Sequence, residues 1–100
     1  MPKIYEYFGF SFFFYSMEHE PIHVHVSNAN GESVFDLIIQ NGELVDIHVR
    51  HKKGIRPLPA KDEKVAKDFI GKYYKNIVDK WVKVFVMKQN VRTIHIRKKI

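Results

Sequence analysis

A chain of 100 residues with 45% hydrophobic content has material for one compact core, so a single domain over residues 1–100 is predicted. It has no cysteine, which excludes a disulfide framework and thiolate metal sites and fits a reducing compartment. No apolar run approaches the roughly 18 residues of a spanning helix, and the Phe-rich start lacks the basic region and cleavage site of a signal peptide, so a cytoplasmic protein with no membrane partner is expected.

The formal charge of +6 is unevenly spread. Up to His48 one cation, Lys3, stands against seven acids; from Val49 onward sixteen cations stand against four. Such a split fits nucleic-acid contact by the basic half, an acidic protein partner, or packing of the halves on each other or on a second copy.

Taken in order, Lys3 to Phe8 and Phe10 to Ser16 read as an aromatic hairpin turning at Gly9. Both its faces are aromatic, which places it centrally, with Phe12, Phe13 and Phe14 in the core; base stacking on Tyr5, Tyr7 or Phe12 is the alternative. Met17 to Glu20 reads as a loop, because Pro21 biases Glu20 toward an extended conformation. Asn30-Gly31 and Asn41-Gly42 are hairpin signals that divide Ile22 to Val49 into a three-stranded meander. Arg50 to Pro59 is a basic loop, and Lys61 to Val86 repeats apolar pairs from Val65-Ala66 to Phe85-Val86, the stripe of an amphipathic helix. A four-residue spacing overshoots the helical turn by about 40°, so the stripe rotates roughly 200° along its length. The helix must therefore stop or bend near Trp81, or present Phe85 and Val86 to another surface. Val91 to Ile100 alternates as a basic final strand. The fold class is α+β: an antiparallel sheet of about five to six strands (aromatic hairpin, meander and C-terminal strand) packed by one long helix.

The stretch from Tyr15 to Val26 concentrates the chemistry, with His19, His23 and His25 falling within seven residues. Strict alternation with Val24 and Val26 puts His23 and His25 on one strand face. Glu18, His19 and Glu20 then sit at its mouth. Closing the first hairpin on Asn30-Gly31 sets Asp36 opposite His25; a four-residue loop from Asn28 to Gly31 sets it opposite His23. The face is the same either way, because the shift is even. Val34, Ile38, Val45, Ile47 and Val49 are expected to continue that face as an apolar surface.

The opening Met-Pro-Lys-Ile-Tyr-Glu-Tyr-Phe-Gly-Phe, followed by Phe-Tyr-Ser-Met-Glu-His-Glu-Pro-Ile-His-Val-His-Val, resembles the bacterial domain of unknown function family 4160. An aromatic hairpin and a Glu-His-x-Pro-x-His-Val-His-Val signature carry the likeness, and it continues through Leu58-Pro59 and the Trp81 helix. The resemblance implies a small standalone protein in a toxin-antitoxin-like gene pair, with Glu18, His19, Pro21, His23 and His25 as signature positions. It implies a partner more than a reaction.

Several readings of the site stay open. His19, His23, His25 and Asp36 are the donors from which a divalent metal site would be built, since imidazole and carboxylate suit zinc, iron or nickel. The same four are the candidate catalytic residues of a histidine-dependent ribonuclease, with Asp36 orienting an imidazole and the basic half holding phosphates. Alternatively the histidines hold a polar corner of the sheet, and the chain is a protein- or nucleic-acid-binding component. A small protein partner or homo-oligomer is then expected, with Arg50, Lys52, Lys53 and Arg56 as the candidate nucleic-acid contacts.

Overall fold

The computed structural model describes residues 2–15 and 22–100. Among these residues six strands, β1 (Lys3–Tyr7), β2 (Phe10–Phe13), β3 (His23–Asn28), β4 (Gly31–Gln40), β5 (Glu43–Arg50) and β6 (Ile94–Ile96), accompany one helix, α1 (Ala60–Phe85). They form a single sheet in the order β5-β4-β3-β2-β1-β6. The aromatic hairpin is central, as its two apolar faces require. Every pairing is antiparallel except β1 with β6, which is parallel, so the sheet is mixed and not purely antiparallel. The reason is topological: α1 intervenes between the meander and the last strand, and β6 arrives on the far edge beside β1.

One face of the sheet receives α1. Phe69 lies on Phe12 at 4.4 Å between ring centroids and meets Tyr5 and Tyr7 at 5.2 and 4.8 Å. Val24, Val26, Phe35 and Leu37 complete this core with Ala66, Ile70 and Ile77 from the helix. The rotating stripe resolves without a break. Phe85 meets Phe14 at 5.6 Å and Trp81 at 5.2 Å, whereas Val86, just past the helix, is exposed.

The two Asn-Gly signals end differently. Asn41 and Gly42 both take left-handed φ, 53° and 79°, as a tight two-residue turn demands. Asn30-Gly31 is not the turn. Asn28 pairs with Gly31, the turn residues are Ala29 and Asn30, and the Asn30 N–H is held by Asn28 Oδ1 at 2.7 Å. Gly31 has another reason to lack a side chain: a Cβ there would come within 2.5 Å of the Arg56 carbonyl oxygen and closer still to that of Pro57. The loop crosses there, and the Glu32 N–H donates to Arg56 O at 2.8 Å.

The register of β5 departs from the simple hairpin. From the Asn41-Gly42 turn, Gln40 pairs with Glu43 and Ile39 with Leu44, but Ile38 then pairs with Asp46, leaving Val45 as the extra residue of a bulge. One inserted residue moves everything beyond it to the other face. Ile47 and Val49 therefore pair with Leu37 and Phe35 on the helix side, and are not part of the histidine face. His48 and Arg50 take their places opposite Asp36 and Val34.

Candidate functional site

The sheet face turned away from α1 carries Phe13, His23, His25, Val34 and Asp36. His23 pairs with Asp36 and His25 with Val34, so both imidazoles and the carboxylate share one face of adjacent antiparallel strands. All three are buried: His25 is 5% exposed, and His23 and Asp36 are each 8% exposed.

His25 lies among rings. Phe13 stacks on it at 5.6 Å and 20°, Tyr15 meets it edge-on at 4.2 Å, and His23 crosses it at 5.5 Å and 65°. Its Nδ1 stands 3.6 Å from Glu32 Oε2. The same oxygen accepts the Tyr15 hydroxyl at 3.2 Å and lies 3.5 Å from Lys52 Nζ, which also sits 4.1 Å above the Tyr15 ring. Burial pulls the Lys52 ammonium down, but the Tyr15 hydroxyl and the Glu32 carboxylate more than offset it, so its pKa is raised above the usual lysine value.

Asp36 is held separately. Arg50 donates from Nε to Oδ2 and from a terminal nitrogen to Oδ1, both at 2.8 Å, the paired fork geometry that fits guanidinium to carboxylate. The carboxylate is buried while the Arg50 side chain is half exposed, so the pair caps the polar face at its solvent boundary. Behind it, a second polar cluster ties loop to sheet to helix. Leu58 N–H donates to Ser33 Oγ at 3.1 Å, Ser33 donates to Glu63 Oε2 at 2.8 Å, and His51 Nε2 lies 2.8 Å from that oxygen. Asn28 and Asn30 similarly donate to Asp62 Oδ2, which holds the Asp62 carboxyl below its usual range.

His23, His25 and Asp36 are thus brought together, and His19 lies outside the described residues. Among the described residues, no three His, Asp or Glu side chains converge as metal donors do. Arg50 and Lys52 turn to Asp36 and Glu32, while Lys53 and Arg56 are exposed. Sequence reasoning passed over Glu32 and Tyr15. Glu32 was within reach of it, since Glu32, Val34 and Asp36 alternate on one face. The Arg50 contact was not, because it depends on the bulge.

Compared with known proteins, residues 9–82 match the family model described as Domain of unknown function (DUF4160). No curated protein and no solved structure matches the chain.

Proposed function

The chain belongs to the DUF4160 family, and from that premise we propose that it is a small intracellular binding protein, the protein- or nucleic-acid-binding component of a toxin-antitoxin-like pair. The observation that carries this reading is how Asp36 and Glu32 are engaged. Both Asp36 oxygens accept from Arg50, and one Glu32 oxygen serves Tyr15 and Lys52. A general base must be open to a substrate proton, and a metal ligand must turn a lone pair to the metal. A carboxylate forked by arginine does neither without first releasing it. So built, the histidine corner fixes β3, β4 and β5 to one another, and recognition falls to the exposed charged surface.

One arrangement favours a second reading, a histidine-dependent ribonuclease. His25 Nδ1 and Lys52 Nζ both approach Glu32 Oε2, at 3.6 and 3.5 Å, which groups an imidazole, an acid and a cation as phosphodiester cleavage would use them. The two readings separate when the untagged chain is isolated from its native host and its partners, metal content and RNA turnover are measured on one sample. A partner in fixed stoichiometry, kept by His25→Ala at a lowered melting temperature, is the expected result. A partnerless chain that cleaves RNA, with cleavage lost in a well-folded His25→Ala, would establish the ribonuclease. Stoichiometric metal lost in His23→Ala and His25→Ala would establish a metal protein.

A further inference from the structure

The β1–β2 hairpin turns at Phe8 and Gly9, both in the left-handed region at φ 43° and 85°. At Asn41-Gly42 the same two-residue geometry is built from the residue pair that suits it. At the first turn the position of asparagine is taken by phenylalanine, a bulky side chain for which positive φ is a true outlier. Strain of this kind points toward function. The Phe8 ring gains little burial in return: it is 49% exposed at the tip of the hairpin.

A lysine and a second ring flank it. Lys99 Nζ lies 4.3 Å from the ring centroid, and the edge of the ring pair with Tyr7 is close to perpendicular, 5.1 Å away at 88°. The Ile100 N–H donates to the Tyr7 hydroxyl at 3.3 Å, and Thr93 Oγ1 donates to Lys3 O at 2.9 Å. These contacts bracket β6 and the residues after it, and dock them along β1. From Met87 to Ile100 the chain carries Lys88, Arg92, Arg97, Lys98 and Lys99 and no acid. Glu6, on β1, is occupied by Lys3 and Ser11.

We propose that Phe8 and the docked segment with Arg97, Lys98 and Lys99 form a binding site for single-stranded nucleic acid, the ring stacking on a base and the cations following the phosphates. The proposal rests on the binding reading above and names its partner class and surface. A half-exposed aromatic ring with a lysine already over it, at the end of an exposed run of cations, is what single strands use, because every base has a π-face that can take the lysine's place on the ring and every nucleotide a charge. A duplex, whose bases are already stacked, offers nothing to Phe8. An acidic protein would answer the charge but gives no account of an aromatic ring held in strained backbone.

The test is titration of labelled single-stranded RNA and DNA oligonucleotides, and of the same sequences as duplexes, by fluorescence anisotropy over a range of salt. Phe8→Asn is the informative variant, since Asn-Gly suits the turn and the fold should be kept or stabilised while the ring is lost. The expected results are preference for single strands, affinity lowered about tenfold or more by Phe8→Asn, and a salt dependence made shallower by Lys98→Gln/Lys99→Gln. Absence of binding at low salt, equal binding of duplex, or full affinity in Phe8→Asn would each overturn the proposal. Loss of binding in Lys53→Gln/Arg56→Gln, with Phe8→Asn unaffected, would overturn it and leave the binding reading standing at the other basic loop. A stoichiometric protein partner released by Phe8→Asn, from a chain that binds no oligonucleotide, would assign the surface to protein. The binding reading itself falls only if the native isolate also has no partner.

Discussion

Removing the Arg50 guanidinium tests both the register of β5 and the closure of the polar face. Asp36 is 8% exposed and takes two donors at 2.8 Å from one side chain. Hydrogen bonds to charged groups contribute roughly 1.5–3 kcal/mol each, but those from one fork do not add, and the Arg50 side chain is 53% exposed, so water can replace part of what is lost. Arg50→Ala should therefore cost about 1–3 kcal/mol. For a domain of this size, each kcal/mol moves Tm by roughly 4–8 °C, so the melt should fall by about 5–20 °C. Asp36→Asn removes the charge that needs the fork and keeps the shape. The double variant should consequently be less destabilised than the sum of the singles, with a coupling of about 1 kcal/mol or more. Urea unfolding followed by circular dichroism gives all four corners of the cycle. Arg50→Ala within about 0.5 kcal/mol of the parent, or strictly additive effects, would refute the argument that this pair closes the buried face.

Gly31→Ala should destabilise by roughly 1–3 kcal/mol because its Cβ would meet the Arg56 and Pro57 carbonyls, whereas Gly71→Ala, in α1 with nothing within 4 Å of the new methyl, should stabilise by about 0.5–1 kcal/mol; parallel urea melts decide both. Ser33→Ala removes the acceptor for Leu58 N–H and a donor to Glu63 at a fully buried position, and should lower stability by about 1–3 kcal/mol in the same assay. Burial, with Tyr73 beside it, pushes the Tyr5 hydroxyl up to about 12. The unfolded chain loses this proton near 10 and the folded chain keeps it, so the stabilisation is complete below about pH 10 and lost as pH rises toward 12, roughly 2–3 kcal/mol in all. Tyr5→Phe should abolish that part of the alkaline loss, and should remove a late step near pH 12 from the phenolate absorbance of the native protein.

Much of this fold was legible because period-2 and helical patterns survive into three dimensions intact. The aromatic residues on both faces of Lys3–Tyr7 and Phe10–Phe13 placed that hairpin inside the sheet and off its edges, and the paired apolar residues gave the helix within a residue at each end. The Asn30-Gly31 signal misled about the turn because glycine serves two purposes that a sequence cannot separate. Here it admits the loop at Arg56 and Pro57, a long-range contact, while the turn is made one residue earlier. The face of His23, His25 and Asp36 survived that error, since the two candidate registers differ by an even step.

The bulge at Val45 had no such protection, and its consequences reach the candidate site. An unbroken hairpin from Asn41-Gly42 would set Ile47 opposite Asp36 and Val49 opposite Val34, giving a carboxylate at the edge of an apolar face. The extra residue instead sets His48 and Arg50 there and returns Ile47 and Val49 to the helix side, where they pack beside Leu37 and Phe35. Both faces gain from the slip: the core keeps two aliphatic side chains, and the buried carboxylate obtains a cation. No local propensity in Glu43–Arg50 announces this, because alternation reads equally well in either phase and only the partner strand distinguishes them. A charged residue alternating with β-branched ones near the end of an edge strand is therefore ambiguous by one residue, and here that residue separates an Asp36 open to catalysis or metal from one closed by Arg50.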